Sequence, residues 1–187
     1  LDFIENLPVD EVATYLASGE LNIADYIGTY YVCFNTENEV FSDPAIRKAF
    51  SLVIDRNYIV DNVTQSGEVP ATGYVPSGIY DADGASGDDF RTVGGEYYSV
   101  SEDDYEKNCE EARQILADAG YPDGEGFPTV EYLYNTDDKH KKIAEALQNM
   151  WQKELGVTVN LDNQDWNVFL QNRKNGDFQI CLLYTSD

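Results

Sequence analysis

Three side chains in the second half of the chain have the chemistry to meet a polar ligand: His140, Trp166 and Arg173. Arg173 follows Trp166 by seven residues, with Phe169 and Leu170 between them at spacings of three and four, so all four share one face of a helix. On such a face an arginine either holds an anion or lies along apolar surface with its charged head in water. Trp166, at the start of the same stretch, is either boundary packing or an aromatic wall. His140 is the single histidine and stands among Lys139, Lys141 and Lys142, a pattern that reads as solvated helix charge unless the turn borders a cleft. Catalysis would need a nucleophile with its base, a carboxylate pair or a metal cluster, and none is signalled. Glycines at 120, 124 and 126 do not make a dinucleotide-binding pattern between a strand and a helix, and no phosphate-cradling GxxxxGK[ST] run occurs. Cys33, Cys109 and Cys181 are odd in number and far apart, without a CxxC, so neither a disulfide framework nor a zinc site is indicated. These residues favour a binding module over an enzyme, with no cofactor and no metal called for.

The stretch 129–180 must position all three groups, and its apolar pattern reads as strand, helix, strand, helix, strand. Ile143, Leu147, Met150, Trp151 and Leu155 recur at helical spacing and make one buried stripe. Thr136 is placed to cap that helix, Asp137 and Asp138 suit its first turn, and Gly156 ends it. Val157, Val159 and Leu161 then alternate with polar residues as a strand. Asp165 caps the helix that carries Trp166, Gly176 stops it, and a further strand begins at Asp177. Strands and helices in alternation predict an α/β fold with a largely parallel sheet.

Upstream, Val12, Tyr15 and Leu16 mark a short helix, and Tyr30 to Phe34 form an aromatic strand that is either buried on both faces or passes between two bodies. Residues 42–63 read as helical, with Ser42 and Asp55 as caps and Ile46, Ala49, Phe50 and Val53 inward. From 65 to 100 the chain is Gly-rich and irregular, which inside a compact domain marks a functional or a mobile loop. Its front, VPATGYVPSG, with rigid prolines and Tyr74, could line a pocket. Regular structure resumes at Ser101, paired with Asp104 in a capping box, and Cys109 falls on the apolar stripe of the helix that follows.

Charge narrows the partners. The chain has 187 residues, 35 Asp and Glu against 12 Lys and Arg, and a formal charge of -23. Such a field repels nucleic acid and anionic membrane faces alike. No run of about 18 apolar residues is present to span a bilayer. The first residue is not Met and no signal peptide is visible, so a mature segment or a fragment is expected.

Longer runs carry more information than any short pattern. TYYVCFNTENEVFSDPAIRKAFSLVIDRNYIV, VPATGYVP, EEARQILADAGYP and LYNTDDKHKKIAEALQNMWQKELGVTVNLDNQDWNVFLQNRKNGDFQI together resemble the oligopeptide-binding proteins of bacterial peptide ABC transporters, within the extracytoplasmic solute-binding proteins of family 5. The resemblance implies a two-lobed, non-catalytic carrier, monomeric when complete, that closes on an extended oligopeptide and presents it to ABC permease membrane subunits. It implies an address in the periplasm or at the cell surface, lipid-anchored or free. Residues 1–31 correspond to the end of the first lobe and the crossing strand. Residues 32–180 correspond to an incomplete second lobe, a periplasmic-binding-protein-like mixed sheet flanked by helices.

The same resemblance assigns ligand-binding roles. It gives Trp166 a side-chain pocket, Arg173 the ligand's terminal carboxylate, His140 the carboxylate end of longer ligands, and Tyr30, Tyr31 and Tyr74 the aromatic border of the cleft. Relatives on this fold carry dipeptides, nickel, haem or oligosaccharides, and those are the alternative cargoes; a secreted hydrolase is the alternative from another class. After Ile180 the family pattern of a further arginine, a tryptophan and an aspartate is replaced by CLLYTSD. That heptapeptide is also the translation of a sequencing-library adaptor, TGT CTC TTA TAC ACA TCT GAC. Residues 181–187 are therefore expected to be non-native read-through that contributes no contact.

Overall fold

A computed structural model describes residues 7–81 and 83–184. In chain order the elements are α1 (Val9–Ser18), β1 (Tyr30–Phe34), α2 (Pro44–Leu52), α3 (Arg56–Tyr58) running into a π turn (Ile59–Thr64), α4 (Phe90–Val93), α5 (Tyr105–Asp118), β2 (Val130–Asn135), α6 (Asp138–Leu155), β3 (Val159–Gln164), α7 (Trp166–Asn175) and β4 (Ile180–Tyr184). The strands lie in the order β1-β4-β2-β3. β2 is parallel to both β3 and β4, whereas β1 runs antiparallel to β4. The sheet is thus mixed, with three parallel strands and a reversed edge.

Two helical crossovers explain the layers. β2 passes through α6 to β3 on one side, and β3 passes through α7 back beyond β2 to β4. With right-handed connections of opposite travel, α6 and α7 must cover opposite faces. The larger core lies on the α6 face: Val130, Tyr132, Tyr134, Val159, Ile180 and Leu182 from the sheet meet Ile143, Ala144, Leu147, Trp151 and Leu155 of α6 and the apolar stripes of α2 and α5. Trp151 is at its centre. Its ring lies 5.5 Å from Phe50 and 5.9 Å from Tyr132, and its indole N–H donates to the Phe50 carbonyl at 2.9 Å. The second face is smaller, with Leu133 and Cys181 against Phe169 of α7 and with Leu170 and Phe178 packed beside them.

Local signals fixed most helix ends, with three corrections. Asp43, and not Ser42, caps α2 by accepting from the Ala45 amide, while the Ser42 hydroxyl donates to Glu39. Asp137, and not Thr136, caps α6, accepting from the amides of Lys139 and His140. Carboxylates beat hydroxyls here because a charged acceptor also meets the helix dipole. Thr136 instead ties β2 to β3 through Asn163 and Gln164. The Ser101 and Asp104 box is also absent: Asp104 accepts from Ser99, and Ser101 leads a short 3-10 turn without a side-chain cap. Of the apolar residues in α1 only Val12 is buried; Tyr15 and Leu16 are exposed.

The expectation that 181–187 make no contact fails for the residues described. Cys181 to Tyr184 fill the place between β1 and β2, with Cys181 and Leu182 buried. The continuous apolar run of CLLY suits a strand with two covered faces, and the gap beside β2 offers unpaired backbone groups on both sides. Residues 185–187 lie outside the described residues. Residue 31, where the first-lobe portion and its crossing strand are expected to end, lies within β1 (Tyr30–Phe34).

Gly156 closes α6 in the left-handed region at φ 69°, and a Cβ there would stand 2.1 Å from the Asp123 carbonyl oxygen. Gly156→Ala is expected to cost about 1–2 kcal/mol from the backbone conformation alone, and more from the overlap with backbone that has nowhere to go. A urea titration reads this as a lower midpoint at unchanged slope.

Candidate functional site

Strand alternation divides the candidate residues. Tyr30 pairs with Tyr184 on the α6 face of β1, while Tyr31 pairs with Leu183 on the α7 face. Adjacent tyrosines therefore serve opposite sides of the sheet.

On the α7 face a line of rings and one cation can be followed. Trp166, 42% exposed, stacks on Phe169 at 5.7 Å, and the Arg173 guanidinium lies 5.7 Å from the centroid of the same Phe169 ring. Asp165 holds the first turn of α7 by accepting from the Asn167 amide. Tyr31 meets Tyr74 edge to face at 5.0 Å, and the Tyr74 carbonyl accepts from the Thr29 hydroxyl at 2.9 Å. Burial pushes the Tyr31 phenol up to about 12, contact with Tyr74 and Cys33 adds to the rise, and the Arg173 charge opposes it. Arg173 is thus close enough to Tyr31 for its field to count. Tyr74 itself is 55% exposed.

The second group sits where the parallel strands end. His140 Nδ1 is 3.1 Å from the Asn135 side-chain oxygen, and its ring is 5.8 Å from Tyr30. Tyr30 also meets Tyr184 at 6.2 Å, and Tyr184 stacks with Tyr26. Carboxyl ends of parallel strands, where helix N-termini converge, are the usual location of ligand crevices in open α/β sheets. The two groups do not merge into one cluster: Tyr31, Tyr74, Trp166 and Arg173 belong to the α7 side, Tyr30 and His140 to the α6 side.

Asn135 and Glu68 gave no sign in the sequence, because each acts through a partner far along the chain or across a strand end. Glu68 accepts from the Thr64 hydroxyl at 2.8 Å and from the Ser66 amide at 3.1 Å, and pairs with Lys139 beside His140. Burial alone would raise the Glu68 carboxyl, yet Lys139, its own amide and Thr64 together hold it below the ordinary carboxylate range. The cysteines have no reactive setting. Cys33 and Cys181 face each other across β1 and β4 as free thiols, and burial raises both, Cys181 to about 12. Cys109 is fully buried, with its thiol likewise raised by burial. Among the described residues no group of three His, Cys, Asp or Glu side chains could hold a metal ion, and no helix is long and apolar enough to cross a membrane. A groove of about 570 Å³ opens between α1, the π turn and α6, apart from both aromatic groups.

The model of the bacterial extracellular solute-binding proteins, family 5 middle region, matches residues 1–187. The chain belongs to this family. Two family 5 relatives show the extent of the likeness. The periplasmic oligopeptide-binding protein OppA of Salmonella typhimurium is 38% identical over 162 residues, which cover 87% of this chain and 28% of that protein. The oligopeptide-binding protein OppA of Bacillus subtilis is 36% identical over 174 residues, covering 93% of this chain and 30% of that protein. The crystal structure of Haemophilus influenzae OppA in complex with RPPGFSPFR matches 96% of this chain with a TM-score of 0.81 at 27% identity, and the match covers 34% of the OppA chain. The family 5 segment described here therefore spans about a third of such proteins. Its mixed sheet with helices on both faces is the architecture that the shared fold predicts.

Proposed function

We propose that the complete protein is the extracytoplasmic solute-binding component of an ABC importer, which binds oligopeptides in the periplasm or at the cell surface and hands them to permease subunits without a catalytic step. In this reading residues 1–31 end a first lobe and 32–180 are part of the second. The observation that carries it is the α7 face, where the exposed Trp166 ring and the Arg173 guanidinium both lie against Phe169 and the exposed Tyr74 ring packs on Tyr31. Side chains of that kind suit an extended chain with a charged end, since affinity for such ligands comes from backbone and termini while side chains occupy roomy, wet pockets. Arg173 takes the terminal carboxylate, Trp166 packs on a ligand side chain, and Tyr31 and Tyr74 form the rim. Tyr30 borders the cleft beside His140, which serves the carboxylate end of longer ligands.

Mass spectrometry of the ligand released when the complete protein, purified from its own host, is denatured tests the reading. Peptides of mixed sequence are expected, and Trp166→Ala should lower affinity in step with the size of the facing ligand side chain. Release of haem, nickel or an oligosaccharide alone would replace the peptide reading with another cargo on the same fold. We further propose that residues 181–187 derive from adaptor sequence joined to the gene; long reads of the source DNA that carry these codons inside a continuing frame would overturn that.

A further inference from the structure

We infer that Glu68 and Lys139 form a strap that fixes the Tyr74-bearing segment to the first turn of α6, making Glu68 a positioning residue for the rim of the binding site. The inference rests on the carrier reading for its functional meaning, but its structural basis is independent. The segment leaves the π turn through Gln65, a non-glycine residue in the left-handed region at φ 55°, and Gly67 at φ 87°. A chain held in that sparsely populated geometry needs outside contacts to stay there. Glu68 supplies them. One carboxylate oxygen gathers the Thr64 hydroxyl and the Ser66 amide, and the other meets the Lys139 ammonium. Ser66 closes the turn by donating to the Thr64 carbonyl at 2.9 Å.

The far end of the strap is equally fixed. Lys139 and His140 donate their amides to the same Asp137 carboxylate, so the helix turn that receives Glu68 is the turn that presents His140. Among ion pairs between described residues, this is the one that joins the irregular segment 65–100 to the rest of the molecule. Six residues beyond Glu68, Tyr74 is held by the hydroxyl of Thr29 and by the Tyr31 ring, and Val75 by the Arg91 guanidinium. Pro70 stiffens the interval between the two anchor points. The strap therefore acts on where Tyr74 stands relative to the helix that carries His140. An isolated surface ion pair contributes little, but a half-buried carboxylate that is also hydrogen-bonded by a hydroxyl and an amide is already ordered, so less entropy opposes the pairing.

The test is a double-mutant cycle in the complete protein with Glu68→Gln, Lys139→Met and the pair together, alongside Lys139→Arg as the conservative replacement. Glu68→Gln keeps an acceptor for Thr64 and Ser66 while removing the charge that Lys139 meets. Amide hydrogen exchange across residues 66–75 is expected to quicken about 3- to 10-fold in either single variant and no further in the pair, with Lys139→Arg near wild type. Calorimetry with a peptide library should show a parallel loss of affinity that Lys139→Arg recovers. Unchanged exchange in Glu68→Gln, or single effects that simply add, would overturn the strap. Coupled exchange without any peptide binding by wild type would leave the strap standing and sink the carrier reading instead.

Discussion

Arg173→Ala in the complete protein is expected to weaken a peptide of matching length by about 10- to 150-fold, the equivalent of losing a charged hydrogen bond of about 1.5–3 kcal/mol. A protein with a formal charge of -23 repels an anionic terminus at long range, so a local cation is needed for a carboxylate to enter the cleft. A guanidinium answers it with two parallel hydrogen bonds, which a lysine would not reproduce. The position over the Phe169 ring restricts the arginine's conformations before the ligand arrives, which reduces the entropy lost on binding. The measurement is calorimetry on wild type and Arg173→Ala with peptides ending in a carboxylate or a carboxamide. Amidation should cost wild type far more than the mutant. Equal costs at every peptide length would assign Arg173 to covering the Phe169 ring.

The largest stability effect is expected at Trp151. Trp151→Ala removes the ring that joins Phe50 to Tyr132 at the centre of the main core, costing about 3–5 kcal/mol in a site too well packed to collapse. It also leaves the Phe50 carbonyl without the indole donor. Trp151→Phe keeps most of the packing and loses the hydrogen bond, so it should cost clearly less. Chemical denaturation of both variants separates the contributions, and a Trp151→Ala midpoint close to wild type would show that α6 is not held through this residue. Against a total stability of about 5–15 kcal/mol for an ordinary domain, the alanine variant should lose a large share of its stability and melt at a clearly lower temperature.

The sequence determined the elements whose causes are local. The stripe of Ile143, Leu147, Trp151 and Leu155 is buried as its spacing requires, Asp55 and Asp165 cap the helices they precede, and Gly156 and Gly176 end theirs in the left-handed region. Cys109, read as a small hydrophobe, is fully buried on α5. Each of these depends on residues three or four apart, so a short window contains the whole interaction. Family membership was also legible, since long ordered runs specify a fold more narrowly than any short motif.

Only the tertiary structure decided which candidates stand together. Alternation required Tyr30 and Tyr31 to face opposite ways, but which of them met α7 depended on β1 pairing with β4 at the other end of the chain. Glu154, one of many acidic residues on helices, is buried at 8% exposure with Arg113 of α5 on one carboxylate oxygen at 2.8 Å and Lys153 on the other at 2.7 Å. Thr136, passed over as the α6 cap in favour of the Asp137 carboxylate, bonds β3 through Asn163 and Gln164, partners that lie far along the chain. Glu68 gained its role from a lysine in another element. Strand partners and ion pairs are set by which surfaces the packed helices bring into contact, and that information is spread over the whole chain, with no single window of it holding the answer.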